Sequence, residues 1–144
     1  MEWINQFQGK TVGLDTAPLI YFIEENSVYI NSVRLFFEAM DRGDFTVVTS
    51  TVTLLEVLIH PLRSNNKKLA TEYRDILLNS RLVTLEISNA IAERAARLRA
   101  IHNIRTPDAI QIGAALNAGA SYFFTNDVRL PEIPSIQIIS LDAL

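Results

Sequence analysis

Short apolar runs alternate along the chain with longer stretches in which apolar residues recur every three or four positions. That alternation is the signature of βαβ units around a mostly parallel sheet. A strand is expected at about Thr11–Leu14, where Asp15-Thr16-Ala17-Pro18 follows, with Thr16 able to cap and Pro18 suited to a first helical turn. Leu19-Ile20-Tyr21-Phe22-Ile23 then reads as helix, and a second helix is expected from Val28 to Met40, ended by Gly43. Phe45–Val48 reads as the second strand, before a helix capped by Ser50 or Thr51 that runs through Leu54, Leu55 and Leu58 to His60. Asn65-Asn66 opens a helix over Lys67 to Leu78, Leu82–Leu85 forms a third strand, and Ser88 begins a helix with Ile91, Ala95 and Leu98 on one face. Thr106-Pro107-Asp108 supplies a capping hydroxyl, a proline at the first helical position and a first-turn carboxylate, and Gly119 suits the left-handed residue after that helix. Strands at Ser121–Thr125 and Ile136–Ile139 complete an α/β fold with about five strands.

There is no internal repeat and no Gly, Ser or Pro-rich linker, so residues 1–144 are expected to form one domain. A chain of this length buries roughly two thirds of the surface its unfolded form exposes, without needing metal or disulfide staples. It has no cysteine, which gives no support to a disulfide scaffold and removes thiolate nucleophiles and zinc-thiolate centres. No apolar run reaches the ~20 residues of a membrane span, and Met1-Glu2-Trp3-Ile4-Asn5-Gln6 does not open a signal peptide. The expected compartment is the cytoplasm, with no membrane partner. A net charge of −3 argues against coating nucleic acid by global electrostatics and leaves room for a local basic face.

Four carboxylates stand where apolar segments end or helices begin: Asp15, Glu56, Asp108 and Asp127. In a parallel sheet the loops at the carboxyl ends of strands converge, so residues distant in sequence can meet there. Each acid also has a structural reading: Asp15 as a helix cap, Asp108 as a complement to the helix dipole, Asp127 as a turn former. Glu56 shares a helix face with Val52, Leu55 and Ile59, which suggests a buried carboxylate in need of a counter-ion. A hard divalent cation bound jointly by the four would supply one.

These residues resemble a known family. Leu14-Asp15-Thr16, Leu19-Ile20, Thr53-Leu54-Leu55-Glu56-Val57, Pro107-Asp108-Ala109-Ile110-Gln111-Ile112 and Thr125-Asn126-Asp127 look like the successive motifs of PIN-domain ribonucleases, especially VapC-like toxins of toxin–antitoxin pairs. The resemblance implies a three-layer α/β/α sandwich and a metal-dependent endoribonuclease. In it Asp15, Glu56, Asp108 and Asp127 would hold Mg²⁺ or Mn²⁺, which activates water for attack on an RNA phosphodiester. Thr16, Thr125 and Asn126 would contact water or phosphate or shape the loop presenting Asp127; turn and cap chemistry is their bland reading. Ala17 departs from the family, which often has a polar residue there. The resemblance also implies a homodimer and an antitoxin protein whose segment, often carrying a basic residue, enters the acidic cleft. Tyr21, Phe22, Phe36 and Phe37 are candidate contacts for either partner, or simply core.

For RNA contact, Arg94, Arg97, Arg99 and Arg105 lie on or just after the Ser88 helix, and Arg63, Lys67 and Lys68 flank another helix start. Solvated helix faces carry the same pattern. Arg105, immediately before Thr106-Pro107-Asp108, should project nearest the site. His60 and His102 read as helix-end residues, and Trp3 and Phe7 as a terminal apolar patch. Two other functions compete: an aspartyl-nucleophile phosphatase using Asp15, which lacks the second Asp at Ala17, and a PIN-like binding module that cuts nothing.

Overall fold

The computed structural model describes residues 2–144; Met1 lies outside them. Five strands form one sheet: β1 (Thr11–Leu14), β2 (Thr46–Ser50), β3 (Val83–Leu85), β4 (Tyr122–Thr125) and β5 (Gln137–Ser140). Their order is β3-β2-β1-β4-β5, and every neighbouring pair is parallel. The helices are α1 (Glu2–Asn5), α2 (Thr16–Ile23), α3 (Ile30–Arg42), α4 (Thr51–Arg63), α5 (Lys67–Leu78), α6 (Asn89–Ile101) and α7 (Thr106–Asn117).

Strand alternation sends side chains to two faces, and each face has its own core. Val12, Leu14, Val47 and Phe124 join Phe36, Phe37, Tyr73 and Leu77 on one side. Val48 and Phe123 join Ala95, Ala109, Ile112 and Ala115 on the other. The result is the expected three-layer α/β/α sandwich. Where α7 crosses β1 the layers are so close that a Cβ on Gly13 would lie 2.5 Å from the Ala115 methyl and 3.0 Å from the Phe123 ring. Only glycine fits between them.

Most local signals act as expected. Ser50, Asn66 and Ser88 cap α4, α5 and α6 by accepting from the backbone N–H of Val52, Leu69 and Ile91, and Gly43 ends α3 in the left-handed region at φ 81°. Several details differ. The cap of α2 is Asp15, not Thr16, and α7 starts without a side-chain cap because Arg105 occupies the cap position and Thr106 is already inside the helix, its hydroxyl accepting from Arg99 Nη1 at 2.9 Å. Helix α3 starts at Ile30, after the Asn26 side chain has taken the N–H groups of Val28 and Tyr29. Pro61 does not end α4, which continues to Arg63.

Phe36 and Phe37 are buried, so they are core and not contacts for a partner, while Phe22 is half-buried and stacks on Phe37. Tyr21 is half-buried and stacks on Tyr29. Phe7 is fully buried and Trp3 stacks on Phe124, so the terminal apolar patch is also core.

Candidate active site

The sheet order places β1 between β2 and β4, so chain connections leave β1 in opposite directions on its two sides. Ligand crevices form at this switch point, beyond the carboxyl ends of the strands. Leu14 is in register with Phe124, which puts Asp15, just after β1, beside Thr125 at the end of β4. A cleft of about 560 Å³ opens there, lined by Asp15, Thr16, Glu56, Arg105, Asp108, Asn126, Asp127 and Arg129 among others. All four sequence-selected acids therefore share one cleft. A larger cavity, about 620 Å³ under Leu130–Ile138, holds one acid, Glu132, and none of the four.

Each acid also performs its structural role. Asp15 accepts from the backbone N–H of Thr16 at 2.8 Å, Asp108 sits in the first turn of α7, and Asp127 accepts from the backbone N–H of Arg129 at 2.9 Å. The functional and structural readings are compatible; convergence is what separates these acids from ordinary caps.

Glu56 overturns one expectation. The α4 face it shares with Leu55 and Ile59 is exposed, because the helix buries Thr53, Val57 and Pro61 instead. Glu56 is an exposed carboxylate held by Thr16, whose hydroxyl donates to Oε1 at 2.6 Å.

Below the acids lies a polar network. Gln111, 3% exposed on α7, donates from Nε2 to Thr53 Oγ1 at 2.5 Å and to Thr16 Oγ1 at 3.3 Å, and its Oε1 accepts from the Ser50 hydroxyl at 2.7 Å. Thr49 extends the network, bonding Thr53 and donating to the Leu14 carbonyl at 2.9 Å. The network ties β1, β2, α4 and α7 together directly under Glu56. Thr125, expected to contact substrate, is fully buried; its hydroxyl donates to Asp15 Oδ2 at 2.7 Å and accepts from the Asp127 N–H at 3.0 Å. It sets the orientation of two acids at once. Asn126 lines the cleft and donates from Nδ2 to the Tyr21 hydroxyl at 3.1 Å.

The electrostatics divide the four acids. Burial pushes the Asp15 carboxyl up from the usual range, with Asp108 and Glu56 adding like charge, against the lowering bonds from Thr125 and Thr16. Asp127 is held below the usual range, first by the hydrogen bond from Arg129. Arg129 grips it through Nε at 3.0 Å and Nη2 at 3.2 Å, while Arg105 Nε reaches Asp108 Oδ2 at 3.3 Å. Among the described residues, no three acidic or imidazole side chains are gathered closely enough to hold a metal ion as they stand. Two of the four acids are engaged by arginines instead. The donor set itself fits a hard divalent ion: it is all carboxylate oxygen, and the partly covered Asp15 faces two like charges that a cation would neutralise.

Sequence reasoning missed Arg129 and Gln111 as site residues. Arg129 had a local signal, since a basic residue two positions after Asp127 can close back onto it. Gln111 had none beyond its place in a motif. Of the other candidate cations, Arg99 is spent on the Ile104 carbonyl and Thr106, and Arg97 pairs with Glu93. Arg94, Arg63, Lys67 and Lys68 are exposed and line neither this cleft nor the cavity beside it.

Fold and site together define a parallel α/β domain with an acidic cleft at its switch point. The PIN domain family model matches residues 12–136, and the chain belongs to that family. PIN nucleases generally use a divalent metal. Among solved structures, the chain is similar to VapBC2 from Rickettsia felis bound to a DNA fragment from their promoter, at 21% identity and TM-score 0.68 over 90% of this chain and 98% of that one. It is also similar to a toxin–antitoxin complex from Klebsiella pneumoniae, at 21% identity and TM-score 0.71 over 91% and 97%. A third similar structure is the Mycobacterium tuberculosis sarcin–ricin loop cleaving toxin VapC20, at 14% identity and TM-score 0.63 over 78% and 86%. At these identities the likeness establishes the shared fold. No curated protein sequence matches the chain at a significant level.

Proposed function

We propose that the chain is a metal-dependent endoribonuclease and the toxin of a toxin–antitoxin pair. The observation that carries this is the meeting of Asp15, Glu56, Asp108 and Asp127 in one cleft of a PIN domain. These four would hold Mg²⁺ or Mn²⁺, which when bound supplies a water of lowered pKa and neutralises charge on the scissile phosphate. Thr125 holds Asp15 and Asp127 in place, Thr16 holds Glu56 and is itself held by Gln111, and Arg105 stands at the rim for phosphate. Thr16 and Asn126 line the same cleft within reach of substrate.

Purified protein should cut RNA with Mg²⁺ or Mn²⁺ and stop in chelator, and Asp15→Asn should be inactive. Cutting that persists in excess chelator, or equally in Asp15→Asn, would remove the metal mechanism. Phosphate release from small phosphoesters with no RNA cleavage would favour the aspartyl-nucleophile reading. RNA binding without cleavage would favour a binding module.

The similar K. pneumoniae structure is a toxin–antitoxin complex and the R. felis one is VapBC2 on promoter DNA, which supports an antitoxin partner for this chain. A basic side chain of that partner could enter the cleft where Arg129 and Arg105 now sit. Leu55, Ile59 and Leu62, exposed along α4 beside Glu56, replace the buried aromatics as apolar contacts for an antitoxin or a second copy of this chain. Light scattering that gives a monomer at micromolar concentration would remove the homodimer. No helix among the described residues is long and apolar enough to cross a membrane; a cytoplasmic location is part of the proposal.

A further inference from the structure

Arg129 belongs to no expected motif, yet it makes the most complete ion pair of the cleft. Its guanidinium approaches both Asp127 oxygens, at 3.0 and 3.2 Å, while its own backbone N–H adds a third bond at 2.9 Å. The guanidinium side is 78% exposed and the carboxylate side 19% exposed. An exposed guanidinium therefore lies over a carboxylate that is itself largely covered. Beyond the acids lies a second cavity of about 380 Å³, lined by Arg99, Arg105 and Arg129 with Asp108 and Asp127. Arg105 and Arg129 line both this cavity and the acidic cleft. Arg99 is already bound to the Ile104 carbonyl and Thr106, so Arg105 and Arg129 are the cations at this junction whose recorded bonds are to the acids.

We propose that Arg129 is an exchange residue: in the free protein it closes Asp127 to cations, and it moves to an RNA phosphate when a divalent ion takes its place on that acid. The inference rests on the nuclease reading and assigns a subsite to it. The planar fork of arginine fits a carboxylate and a phosphate with the same two parallel hydrogen bonds, so the exchange preserves its bonding. It also means that Asp127 is already neutralised from within the chain. Metal and Arg129 compete for Asp127, and the second cavity gives the displaced guanidinium a place on the path of the RNA backbone.

Competition gives the two ligands opposite responses to one substitution. Arg129→Ala should bind Mn²⁺ more tightly, by about two- to fivefold, the factor expected from removing a largely exposed ion-pair competitor. The same variant should bind RNA more weakly. The probe is a short fluorescent oligouridylate with a nuclease-resistant phosphorothioate backbone, followed by anisotropy over a sodium chloride series in saturating Mn²⁺, the state in which Arg129 is free for phosphate; in chelator parent and variant should have the same slope. In Mn²⁺ the log affinity against log salt should lose about 0.7 of slope, one single-strand phosphate contact. Arg129→Lys, which keeps charge but not the fork, should lie between. Arg94→Ala, an exposed arginine outside both cavities, should leave Mn²⁺ affinity by calorimetry and RNA slope unchanged and so controls for net charge. Equal Mn²⁺ affinity in parent and Arg129→Ala, or an unchanged RNA slope in Mn²⁺, overturns the exchange even if the parent is an active nuclease. A parent that neither binds Mn²⁺ nor cuts RNA sinks the nuclease reading and this inference with it.

Discussion

Asp15 does two jobs that pull its charge in opposite directions. As the cap of α2 it accepts from Thr16, and as a member of the acidic cleft it faces Asp108 and Glu56. Burial and like charge win, and its carboxyl is raised. A carboxyl raised on folding binds more protons in the folded than in the unfolded state, so stability falls as pH rises through and above the usual carboxylate range. Asparagine caps as well as aspartate, so Asp15→Asn removes the charge and keeps the cap. We expect the metal-free variant to be at least as stable as the parent at neutral pH and to lose less stability between acid and neutral solution. Urea titrations across that window measure both; a variant clearly less stable at neutral pH would show that the charged cap outweighs the repulsion. Gln111 is the opposite case, a buried neutral hub. Gln111→Leu leaves the Ser50 hydroxyl without its acceptor and Thr16 without one donor, at a cost of roughly 1–3 kcal/mol. Because Thr16 holds Glu56, the RNA-cutting rate should fall further than stability alone accounts for, as a single-turnover assay on fully folded protein would report.

Helix ends were legible because their chemistry is local. Ser50, Asn66 and Ser88 each meet an N–H two or three residues away, and Gly43 needs only its own backbone freedom. Helix faces were less legible. Helix α4 is apolar on several sides, so Leu55 and Ile59 looked buried, yet the buried side carries Thr53, whose hydroxyl is paid for by the network around Gln111. No neighbour in sequence announces that pairing. Asp15, Asp108 and Asp127 were found because each follows a strand or opens a helix, and Glu56 from its helix face and its motif inside α4, whereas the arginine that grips Asp127 and the glutamine beneath Glu56 depend on which elements meet. Gly13 shows the same dependence within a strand. Its missing side chain reads as neutral in sequence, but α7 rests on it. Gly13→Ala forces Ala115 or Phe123 to shift and should destabilise the fold by about 1–3 kcal/mol of overpacking. A urea midpoint equal to the parent's would mean that α7 can move off β1 freely.

At the scale of the molecule, the cleft gathers side chains from the end of β1, from α4, from the first turn of α7 and from the loop after β4. These elements contribute to both cores, so an ion held by all four acids would fasten both layers to the sheet. Binding to the folded state alone then raises global stability by mass action, about 2.7 kcal/mol at a free metal concentration 100 times the dissociation constant. At roughly 2–4 °C per kcal/mol for a chain near this size, Mn²⁺ should lift the melting temperature by about 5–11 °C. Hydrogen exchange should slow together at the amides after β1, at the start of α7 and after β4, because one ligand draws on all of them. The effect should vanish in Asp15→Asn, which lacks a charged donor but keeps the fold. A melting temperature that rises equally in parent and Asp15→Asn would mean that Mn²⁺ acts elsewhere on the surface, and protection confined to the loop after β4 would mean that Asp127 binds it without the other three.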